Sequence, residues 1–518
     1  MMKNAAGREI PAQLPGYKTI VPYAGAFATM PPEGLRQAGR LVKCKPPRTE
    51  DKVLKSLEDA IDASGLKDGM TVSFHHGLRN GDMVMNMVMK AIAKKGIKNL
   101  TLAPSSFLNS NDELIPLFKD GVIAAAQTSG VRSELGKFLT ANKLAKPTIL
   151  RPHGGRVRAI ECGEVAIDVA FIAAPTCDTY GNINGVQGPA ACGSMGYAMV
   201  DARFADTVVA ITDNLVPHPI CPVSIPQYQV DYVVAVDRIG DPAGIATGSL
   251  RGSKNPRDLI IAKMAAQVAE HAGYFKDGFA MQLGAGAASV SAGLYLREIM
   301  LREKITAGMA IGGILGAFCD LQDEGLIRTM FDTQSFDDQT IKHLRDNPAH
   351  QEYDAGNYAN FWNKGAMVNM LDYVILGATE VDVNFNVNVM TDSSGVMMGA
   401  LGGHPDASAG ARCTIITAPL LRGSLPMVTD AVQTISTPGE TIDVIVTDRG
   451  VAVNPARPDL LENLKGSGLP IKPIEELRDM AHEIVGRKPK PIEVTDEITA
   501  VVEYRDGTVL DVVRKPVM

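Results

Sequence analysis

Two stretches of the chain share one pattern and decide its fold: PRTEDKVLKSLEDAIDASGLKDGMTVSFHHG at residues 47–77 and PRDLIIAKMAAQVAEHAGYFKDGFAMQLGAG at residues 256–286. They align without a gap at an offset of 209 residues, and eight of the 31 aligned positions are identical. Each stretch reads as a proline near a helix start, a helical apolar period, a Lys-Asp-Gly turn, a short apolar strand and a loop containing glycine. One α/β unit is therefore used twice in this chain.

The repeat continues downstream of both stretches. IAAPTCDTYGNIN at residues 172–184 matches LGATEVDVNFNVN at residues 376–388 at an offset of 204, and each copy leads through a glycine-rich stretch to an apolar strand. In both halves, short β-branched runs alternate with helical segments, which is typical of buried parallel strands joined by crossover helices. The predicted fold class is α/β, with two related open, mostly parallel sheet domains.

The domain organisation follows from this repeat. We expect an N-terminal extension at residues 1–45, a first α/β domain at residues 46–245 and a second at residues 246–518. Near the end of the chain, two β-rich runs flank Asp506-Gly507, which predicts a C-terminal β-hairpin. We assign this hairpin to the second domain.

The composition is that of a large globular protein and excludes several classes of function. Of the 518 residues, 45% are hydrophobic, and the formal net charge is −7, so no basic surplus favours nucleic acid or anionic lipid. The longest apolar stretch, residues 309–318, is too short to cross a bilayer, and the N-terminus lacks the apolar region of a signal peptide. The seven cysteines show no CxxC pair and no zinc-ligand spacing. We therefore expect a cytoplasmic protein with no bound metal, no nucleic acid partner and no membrane contact.

Three glycine-containing loops are the first candidates for a ligand site. They lie at residues 74–82, 282–293 and 397–411, and the first two directly follow predicted strands. In open parallel sheets, ligands bind at the carboxyl ends of the strands, and small residues there let a ligand approach backbone N–H groups that hold an anion or an oxyanion. A glycine loop alone is equally typical of a turn or of close packing, and none of the three fits the GxxxxGK[ST] pattern of a nucleotide site.

Four segments of the chain carry a resemblance to a known family: LGATEVDVNFNVN, GALGGHPDASAGARCTIITAP, the QLGAGA loop and GGRVRAIECGEVAIDVAFIAAPTCDTYGNIN. Together they resemble the coenzyme A transferase superfamily over roughly residues 46–450, with its two types of half fused in one chain. The length, the N-terminal extension and the run RPHGGRVRAIECGE are most similar to the citrate lyase α subunits within that superfamily.

The resemblance implies a fold, a reaction and partners. The fold is that of two coenzyme A transferase domains. The reaction is that of a citrate CoA-transferase: the acetyl group on a coenzyme A-like arm of a carrier subunit is replaced by citrate, and acetate is released. The implied partners are the β subunit, which cleaves the citryl thioester, and the γ subunit, which is the acyl carrier, in an assembly with more than one copy of this chain. The arm of the carrier or acetyl-CoA is the thioester, and no cofactor is tightly bound by this chain.

The resemblance also assigns residues. It places coenzyme contacts in one loop and the GGxxD motif in another, as follows: Gly284, Ala285, Gly286, Ala287, Ala288, Gly402, Gly403 and Asp406. We add His404 as a further contact, although Pro405 beside it is also typical of a rigid turn.

A tricarboxylate requires cations with paired donors, for which the planar guanidinium of arginine is suited. The candidates in or near the loops are Gly77, Arg79, Asn80, Arg328 and the cluster Arg151, His153, Arg156 and Arg158. The arginine cluster is equally typical of an exposed, solvated loop. We interpret Asp178 with Asn182, and Asp382 with Asn386, as side chains that shape turns, and Cys192 and Cys319 as inert buried thiols.

One departure from the family concerns the nucleophile. Relatives that form a covalent glutamyl thioester carry that glutamate in a context like IHTEM, whereas this chain reads LIRTMFDTQS, with Met330 at the expected position. Methionine cannot attack an acyl carbon. The covalent route therefore lacks its central group, and the resemblance to the citrate lyase type implies direct attack by a carboxylate of citrate, which gives a mixed anhydride from which acetate leaves.

Two other hypotheses stay open. In the first, a nearby acid serves as the nucleophile of an acyl-CoA transferase or thioester hydrolase; the candidates are Asp320, Asp323, Glu324 and Asp332. In the second, the chain is a non-catalytic sensor of an acidic metabolite or coenzyme with the same fold, since degenerate relatives also lose the glutamate.

Overall fold

The structure is a computed structural model that describes residues 1–28, 52–142, 144–246, 252–488 and 491–517. The strands up to residue 246 are Met2–Lys3 (β1), Glu9–Ile10 (β2), Val53–Leu54 (β3), Thr71–Ser73 (β4), Leu100–Leu102 (β5), Ile123–Thr128 (β6), Thr148–Leu150 (β7), Val169–Ala174 (β8), Thr176–Asp178 (β9), Ile183–Asn184 (β10), Thr207–Thr212 (β11), Leu215–Val216 (β12) and Tyr232–Ala235 (β13). The α-helices in this half are Leu57–Ser64 (α1), Val84–Lys94 (α2), Ile115–Lys119 (α3), Ser133–Ala141 (α4), His153–Glu161 (α5) and Gly196–Phe204 (α6).

The second half repeats this alternation. Its strands are Ala280–Leu283 (β14), Ala307–Ile314 (β15), Ile327–Ser335 (β16), His350–Glu352 (β17), Tyr373–Gly377 (β18), Glu380–Asp382 (β19), Val387–Asn388 (β20), Cys413–Thr417 (β21), Leu421–Arg422 (β22), Leu425–Pro426 (β23), Val428–Thr429 (β24), Val444–Thr447 (β25), Gly450–Val453 (β26), Val494–Glu503 (β27) and Val509–Pro516 (β28). Its α-helices are Pro256–His271 (α7), Ala287–Glu303 (α8), Gly316–Asp323 (α9), Asp338–Asp346 (α10), Ala355–Ala359 (α11), His404–Gly410 (α12), Pro458–Asn463 (α13) and Ile474–Val485 (α14).

Two large sheets organise the molecule, one in each half. Ten of the described strands form the first sheet, in the order β28-β27-β7-β6-β5-β4-β8-β11-β13-β3, and eight form the second, in the order β17-β16-β15-β14-β18-β21-β25-β26. Neighbouring strands are parallel except in the two hairpins, β27–β28 and β25–β26. Buried clusters of apolar side chains pack against both sheets, as parallel sheets require. The predicted α/β class with two related, mostly parallel sheets is confirmed.

The internal repeat is visible in the backbone. Gly69 and Gly278 in the two Lys-Asp-Gly turns have φ angles of +82° and +87°, a region that favours glycine, and β4 and β14 follow them. Small three-stranded sheets, β10-β9-β12 and β20-β19-β24, occupy equivalent places in the two halves. In both, an aspartate Oδ1, that of Asp178 or Asp382, accepts hydrogen bonds from the N–H groups two and four residues later. The interpretation of these residues as turn-shaping is confirmed.

The C-terminal hairpin forms as predicted but joins the first sheet. β27 pairs in parallel with β7, with Val501 opposite Ile149, so our assignment of the hairpin to the second domain is wrong in this respect. Without β27, strand β7 would leave an edge of unpaired backbone groups, which the end of the chain satisfies. The N-terminal segment lies on the same hairpin, where Pro22 bridges to Val509. The proposed boundary between residues 45 and 46 lies outside the described residues.

The helices are those of a layered α/β protein. In the described part of the chain, none is long and apolar enough to cross a membrane. The segment 309–318, the longest apolar run of the sequence, is divided between β15 and α9.

Candidate active site

A cleft of about 420 Å³ lies between the two halves, beyond the carboxyl ends of strands from both sheets. The residues that line it are His76, Arg79, Ser106, Leu108, Arg132, His153 and Tyr197 from the first half, and Gln282, Leu283, Gly284, Ala285, Gly286, Gly313, Gln334, Phe336, Tyr358, Leu376, Gly377, Ala378, Thr379, Val389, Met398, Gly399, Ala400, Leu401, Gly402, Gly403 and His404 from the second. All three glycine loops singled out in the sequence contribute to this one cleft. Their convergence makes it the candidate active site.

A larger cavity, of about 720 Å³, lies between α4 and the end of β28. It contains none of the glycine loops and none of the predicted site residues. It is mostly apolar, and its lysines are Lys137, which is exposed on α4, and Lys515, which is half-buried on β28. The cleft between the halves therefore remains the better candidate for chemistry.

The third glycine loop is fastened to the first half by backbone hydrogen bonds. The N–H of His153 donates to the carbonyl of Gly402 at 2.8 Å, and the N–H of Leu401 donates to the carbonyl of Ser129 at 2.8 Å. The two chains approach so closely that a Cβ on Gly130 would lie 2.2 Å from that of Ala400. Because an added methyl group cannot fit there, this crossing requires glycine, and it fixes the loop against the opposite wall of the cleft.

Two arginines bring positive charge to the cleft without a counter-charge. Arg79 lies beside Phe336, with its guanidinium carbon 5.2 Å from the ring centre, and Arg132 immediately precedes α4. Neither guanidinium forms an ion pair or a hydrogen bond with another described residue. Burial, with a smaller contribution from Arg132, lowers the pKa of Arg79 to about 10, and burial also lowers the pKa of Arg132. Two half-buried cations without a described partner are suited to bind an anion.

Three aromatic side chains form one wall of the cleft. The ring of Tyr197 lies 5.0 Å from that of His76 and 4.5 Å from that of His153, measured between centroids. Burial and the neighbouring cations lower the pKa of His153 to about 3 and hold that of His76 well below its usual value. His76 is further fixed by Ser105, whose Oγ lies 2.5 Å from its Nδ1. Both imidazoles are therefore neutral near pH 7, so the positive charge of the cleft comes from the arginines alone.

The second glycine loop presents free backbone donors. Ala285 and Gly286 line the cleft between β14 and α8, and their N–H groups donate to no other described residue. They precede the first turn of the 17-residue helix α8, whose N-terminal end carries a partial positive charge. This geometry suits an oxyanion or a phosphate group.

Carboxylates are absent from the cleft as far as the described residues go. Met330 is fully buried in the core of the second half and does not line the cleft, to which Gln334 at the end of β16 and the following Phe336 contribute instead. Asp320 and Asp323 lie on the outside of α9, and Asp332 is buried, where its Oδ2 accepts a hydrogen bond from Ser335 at 2.6 Å. The fourth candidate acid, the exposed Glu324, pairs with an arginine at the surface.

The sequence matches a known family over nearly its whole length. The family model described as "Citrate lyase, alpha subunit" covers residues 50–516. The chain belongs to the citrate lyase alpha subunit family. It is 48% identical to the citrate lyase alpha chain of Klebsiella pneumoniae over 496 residues, which covers 96% of each chain.

Solved structures support the same assignment. The crystal structure of the alpha subunit of citrate lyase from Streptococcus mutans, in complex with citrate, matches with a TM-score of 0.94 and 46% identity and covers 100% of both chains. A Pseudomonas malonate decarboxylase hetero-tetramer matches with a TM-score of 0.64 and 14% identity, covering 84% of this chain and 86% of that chain, which shows a shared fold only. As a citrate lyase alpha chain, this protein is one component of a multi-subunit enzyme.

The structure brings most of the predicted glycine-loop residues together in this alpha chain. Arg79, His404 and the stretches Gly284–Gly286 and Gly402–Gly403 all line the cleft. Ala287 and Ala288 instead begin α8 and do not line it.

Several predicted residues lie elsewhere. Arg328 is exposed at the amino end of β16, where it pairs with Asp277, so its prediction as a site residue is wrong: the cleft is at the other end of that strand. Gly77 packs against Cys192, and Asn80 accepts a hydrogen bond from the N–H of Asn109 outside the cleft.

Asp406 is also outside the cleft lining. It is fully buried at the start of α12, and its Oδ2 accepts a hydrogen bond from the N–H of Gly154 at 2.9 Å. Burial raises its pKa to about 7. The carboxyl group thus links α12 to α5 across the two halves, one turn away from residues that line the cleft.

Both interpretations of the arginine cluster are wrong. The three side chains are neither a citrate clamp nor solvated, because each is buried in an ion pair: Arg151 with Glu503 at 2.6 Å, Arg156 with Asp201 at 2.9 Å, and Arg158 with Glu164 at 2.6 Å. Only His153 from this region lines the cleft. Helix α5 is buried on all sides, so its cations need carboxylate partners.

Sequence reasoning missed Arg132, Tyr197 and Tyr358. The position of Arg132 could have marked it as a site candidate, because it follows the strand run IAAAQT and a glycine, at the carboxyl end of a predicted strand. No sequence pattern marks the two tyrosines, because they lie on helices α6 and α11, which only the tertiary fold places at the cleft.

Proposed function

We propose that this alpha chain is the citrate CoA-transferase of its complex, exchanging acetate for citrate on a carrier-bound thioester. One observation carries the proposal: the cleft joins two unpaired guanidinium groups and free backbone donors, and no described carboxylate lines it. Such a site attracts a polyanionic acid and stabilises an oxyanion, but it offers no acidic nucleophile.

Citrate is the anion that the cleft fits best. Arg79 and Arg132 can each hold a carboxylate through paired donors, and the neutral His153 and Tyr197 add polar contacts without cancelling their charge. The Streptococcus mutans relative, which aligns over 100% of both chains, is described in complex with citrate. A single monocarboxylate would leave one of the two half-buried cations uncompensated.

The reaction balances without a nucleophile from the enzyme. A carboxylate oxygen of citrate attacks the acetyl carbon of the thioester, and the resulting oxyanion is held by N–H groups such as those of Ala285 and Gly286. Collapse breaks the C–S bond and gives the thiolate of the carrier arm and an acetyl–citryl anhydride. The thiolate then attacks the citryl carbonyl, the anhydride C–O bond breaks, and acetate leaves with the oxygen that came from citrate. The enzyme contributes positioning and charge stabilisation.

The partners follow from family membership. We propose that the γ subunit presents a coenzyme A-like arm to the cleft, that the β subunit cleaves the citryl thioester, and that the cytoplasmic assembly contains more than one copy of this chain. The arm, or acetyl-CoA in its place, is a substrate, and citrate and acetate are exchanged on it. The glycine-lined entrance formed by Gly284–Gly286 and Gly402–Gly403 suits a narrow, flexible pantetheine chain.

Acetate release tests the proposal. The purified chain is incubated with citrate and acetylated carrier subunit, and acetate is measured over time. Catalytic release that depends on citrate is expected. A chain that binds citrate but releases no acetate from any acyl thioester would instead be a sensor.

A transferase or hydrolase with an acidic nucleophile is separated by trapping. Hydroxylamine or borohydride captures an acyl-enzyme thioester only if a side-chain carboxyl is acylated. We expect no trapped adduct, because Asp320, Asp323 and Glu324 are exposed outside the cleft and Asp332 is buried away from it.

A further inference from the structure

A cluster of metal-ligating side chains lies outside the cleft, at the edge of the second sheet. Cys319 on α9, His343 on α10 and His350 on β17 each direct one ligand atom to a common point, and these atoms all lie within 4.8 Å of one another. Cys319 and His350 are fully buried, and the side chain of His343 is 10% exposed. Sequence spacing did not reveal this group because its members come from three separate elements.

We propose that Cys319, His343 and His350 form a binding site for one zinc ion. One thiolate and two imidazoles are a ligand set that zinc prefers, and a water molecule can complete a tetrahedral shell. The Nδ1 atoms of the two histidines are 3.0 Å apart, whereas two nitrogens on one tetrahedral zinc lie roughly 3.3 Å apart. The rings therefore need to separate by only a few tenths of an ångström, and Cys319 Sγ already lies within 4.8 Å of the ligand nitrogens.

The outer nitrogens of both rings support this assignment. Nε2 of His343 lies 3.3 Å from Asp323 Oδ1, and Nε2 of His350 lies 3.4 Å from Asp332 Oδ2. A carboxylate behind each imidazole is the arrangement that holds a ligating histidine in the correct tautomer, with Nδ1 free for the metal.

The electrostatic surroundings favour a cation. Three carboxylates lie on or beside the elements that carry the ligands: Asp320 and Asp323 on α9, and Asp332 3.4 Å from Nε2 of His350. Their negative field attracts a divalent ion, whose binding deprotonates the thiol and releases a proton. No arginine or lysine pairs with Cys319, His343 or His350 among the described residues.

The position gives the ion a structural role beside the cleft. It would join α9 and α10 to β17, which is an edge strand of the second sheet. Asp332 accepts a hydrogen bond from Ser335, whose Oγ accepts one from the N–H of Ser194 in the first half. The ion thus orders the strand that presents Gln334 to the cleft.

Metal loading of the full chain tests the proposal. The protein is treated with a chelator, reconstituted with zinc or cobalt, and analysed for bound metal, for its thermal unfolding midpoint and for its near-ultraviolet spectrum. We expect one zinc per chain, a higher unfolding midpoint with zinc, and a thiolate-to-cobalt charge-transfer band. A chain that retains no stoichiometric metal after reconstitution and shows no shift in midpoint overturns the proposal.

Matched variants assign the ligands. Cys319→Ser should abolish the cobalt–thiolate band, whereas Cys413→Ser, which removes an equally buried thiol of the same half, should retain it. His343→Gln should lose the zinc-dependent shift, and because this side chain reaches the surface, the variant remains testable even if Cys319→Ser fails to fold.

Asp323→Asn probes the outer carboxylate. Asp323 is largely exposed, so its replacement leaves the fold intact, and zinc affinity should fall roughly tenfold. A cobalt band that persists in Cys319→Ser, or zinc affinity that is unchanged in both His343→Gln and Asp323→Asn, would show that the metal binds elsewhere.

Discussion

The substitution Arg132→Gln tests whether Arg132 binds the anion, as proposed, or only stabilises the fold. The guanidinium lies in the cleft with no counter-charge among the described residues, and its charge is close enough to Arg79 to help lower the pKa of that residue. Loss of one partner from a desolvated, hydrogen-bonded charge pair costs about 3 kcal/mol, so the Kd for citrate should rise roughly a hundredfold.

The same change should make the free chain more stable. Arg132 is a half-buried cation whose charged form is disfavoured by its removal from water, and its presence also lowers the pKa of Arg79. Removing it relieves both effects, so the urea midpoint of the citrate-free variant should rise while the stabilisation by added citrate falls.

Two measurements check these expectations. Isothermal titration calorimetry gives the Kd for citrate, and urea unfolding with and without citrate gives the stability. Arg328→Gln is the matched control, because that guanidinium is exposed and pairs with Asp277 far from the cleft, and it should leave both unchanged. If Arg132→Gln binds citrate as tightly as the unmodified chain while remaining folded, the assignment of the anion site is refuted.

Three further outcomes are expected. Arg151→Ala should lower the free energy of unfolding by about 3–5 kcal/mol, because it leaves Glu503 buried without its partner, while KM for citrate in the folded fraction stays the same; urea unfolding and kinetics check this. Gly403→Ala should cost about 1–3 kcal/mol and reduce acetate release, because its Cβ would lie 2.3 Å from the hydroxyl of Tyr358. Asp406→Asn should gain stability over the unmodified chain as pH rises from about 4 to 7, by about 1.4 kcal/mol per pH unit, because burial raises the pKa of this carboxyl to about 7, so the folded chain keeps the proton through that range while the unfolded chain releases it. Unfolding at several pH values measures this, and a pH-independent difference would contradict it.

The fold could be read from the sequence where the signals are local. The Lys-Asp-Gly turns, the β-branched runs and the Asp506-Gly507 turn each fix a short element, and the repeat joins them into two sheets. The docking of β27 on β7 could not be predicted, because that pairing connects residues more than 350 positions apart and depends on which sheet edge is free. The segments that form strands were therefore predictable from the sequence, whereas the pairing of the C-terminal hairpin with the first sheet was not.

The residues of the candidate site likewise fall into those that local sequence signals predict and those that only the tertiary fold determines. The glycine loops were found because ligand sites in parallel sheets lie at the carboxyl ends of strands, and the same rule excludes Arg328, which begins β16. Arg151 could not be assigned from sequence, since its partner Glu503 is 352 residues away and only the fold buries the two together. The two arginines of α5, Arg156 and Arg158, likewise depend on the carboxylates that the fold places beside them.

The path of one oxygen atom tests the central proposal most directly. In a single turnover with citrate labelled with oxygen-18 in its carboxylates and with acetylated carrier, the acetate and the tryptic peptides of the chain are analysed by mass spectrometry. Direct attack by citrate predicts that the released acetate carries one labelled oxygen and that no peptide gains label. Unlabelled acetate from the first turnover, together with an acylated or labelled Asp or Glu in the chain, would contradict the account.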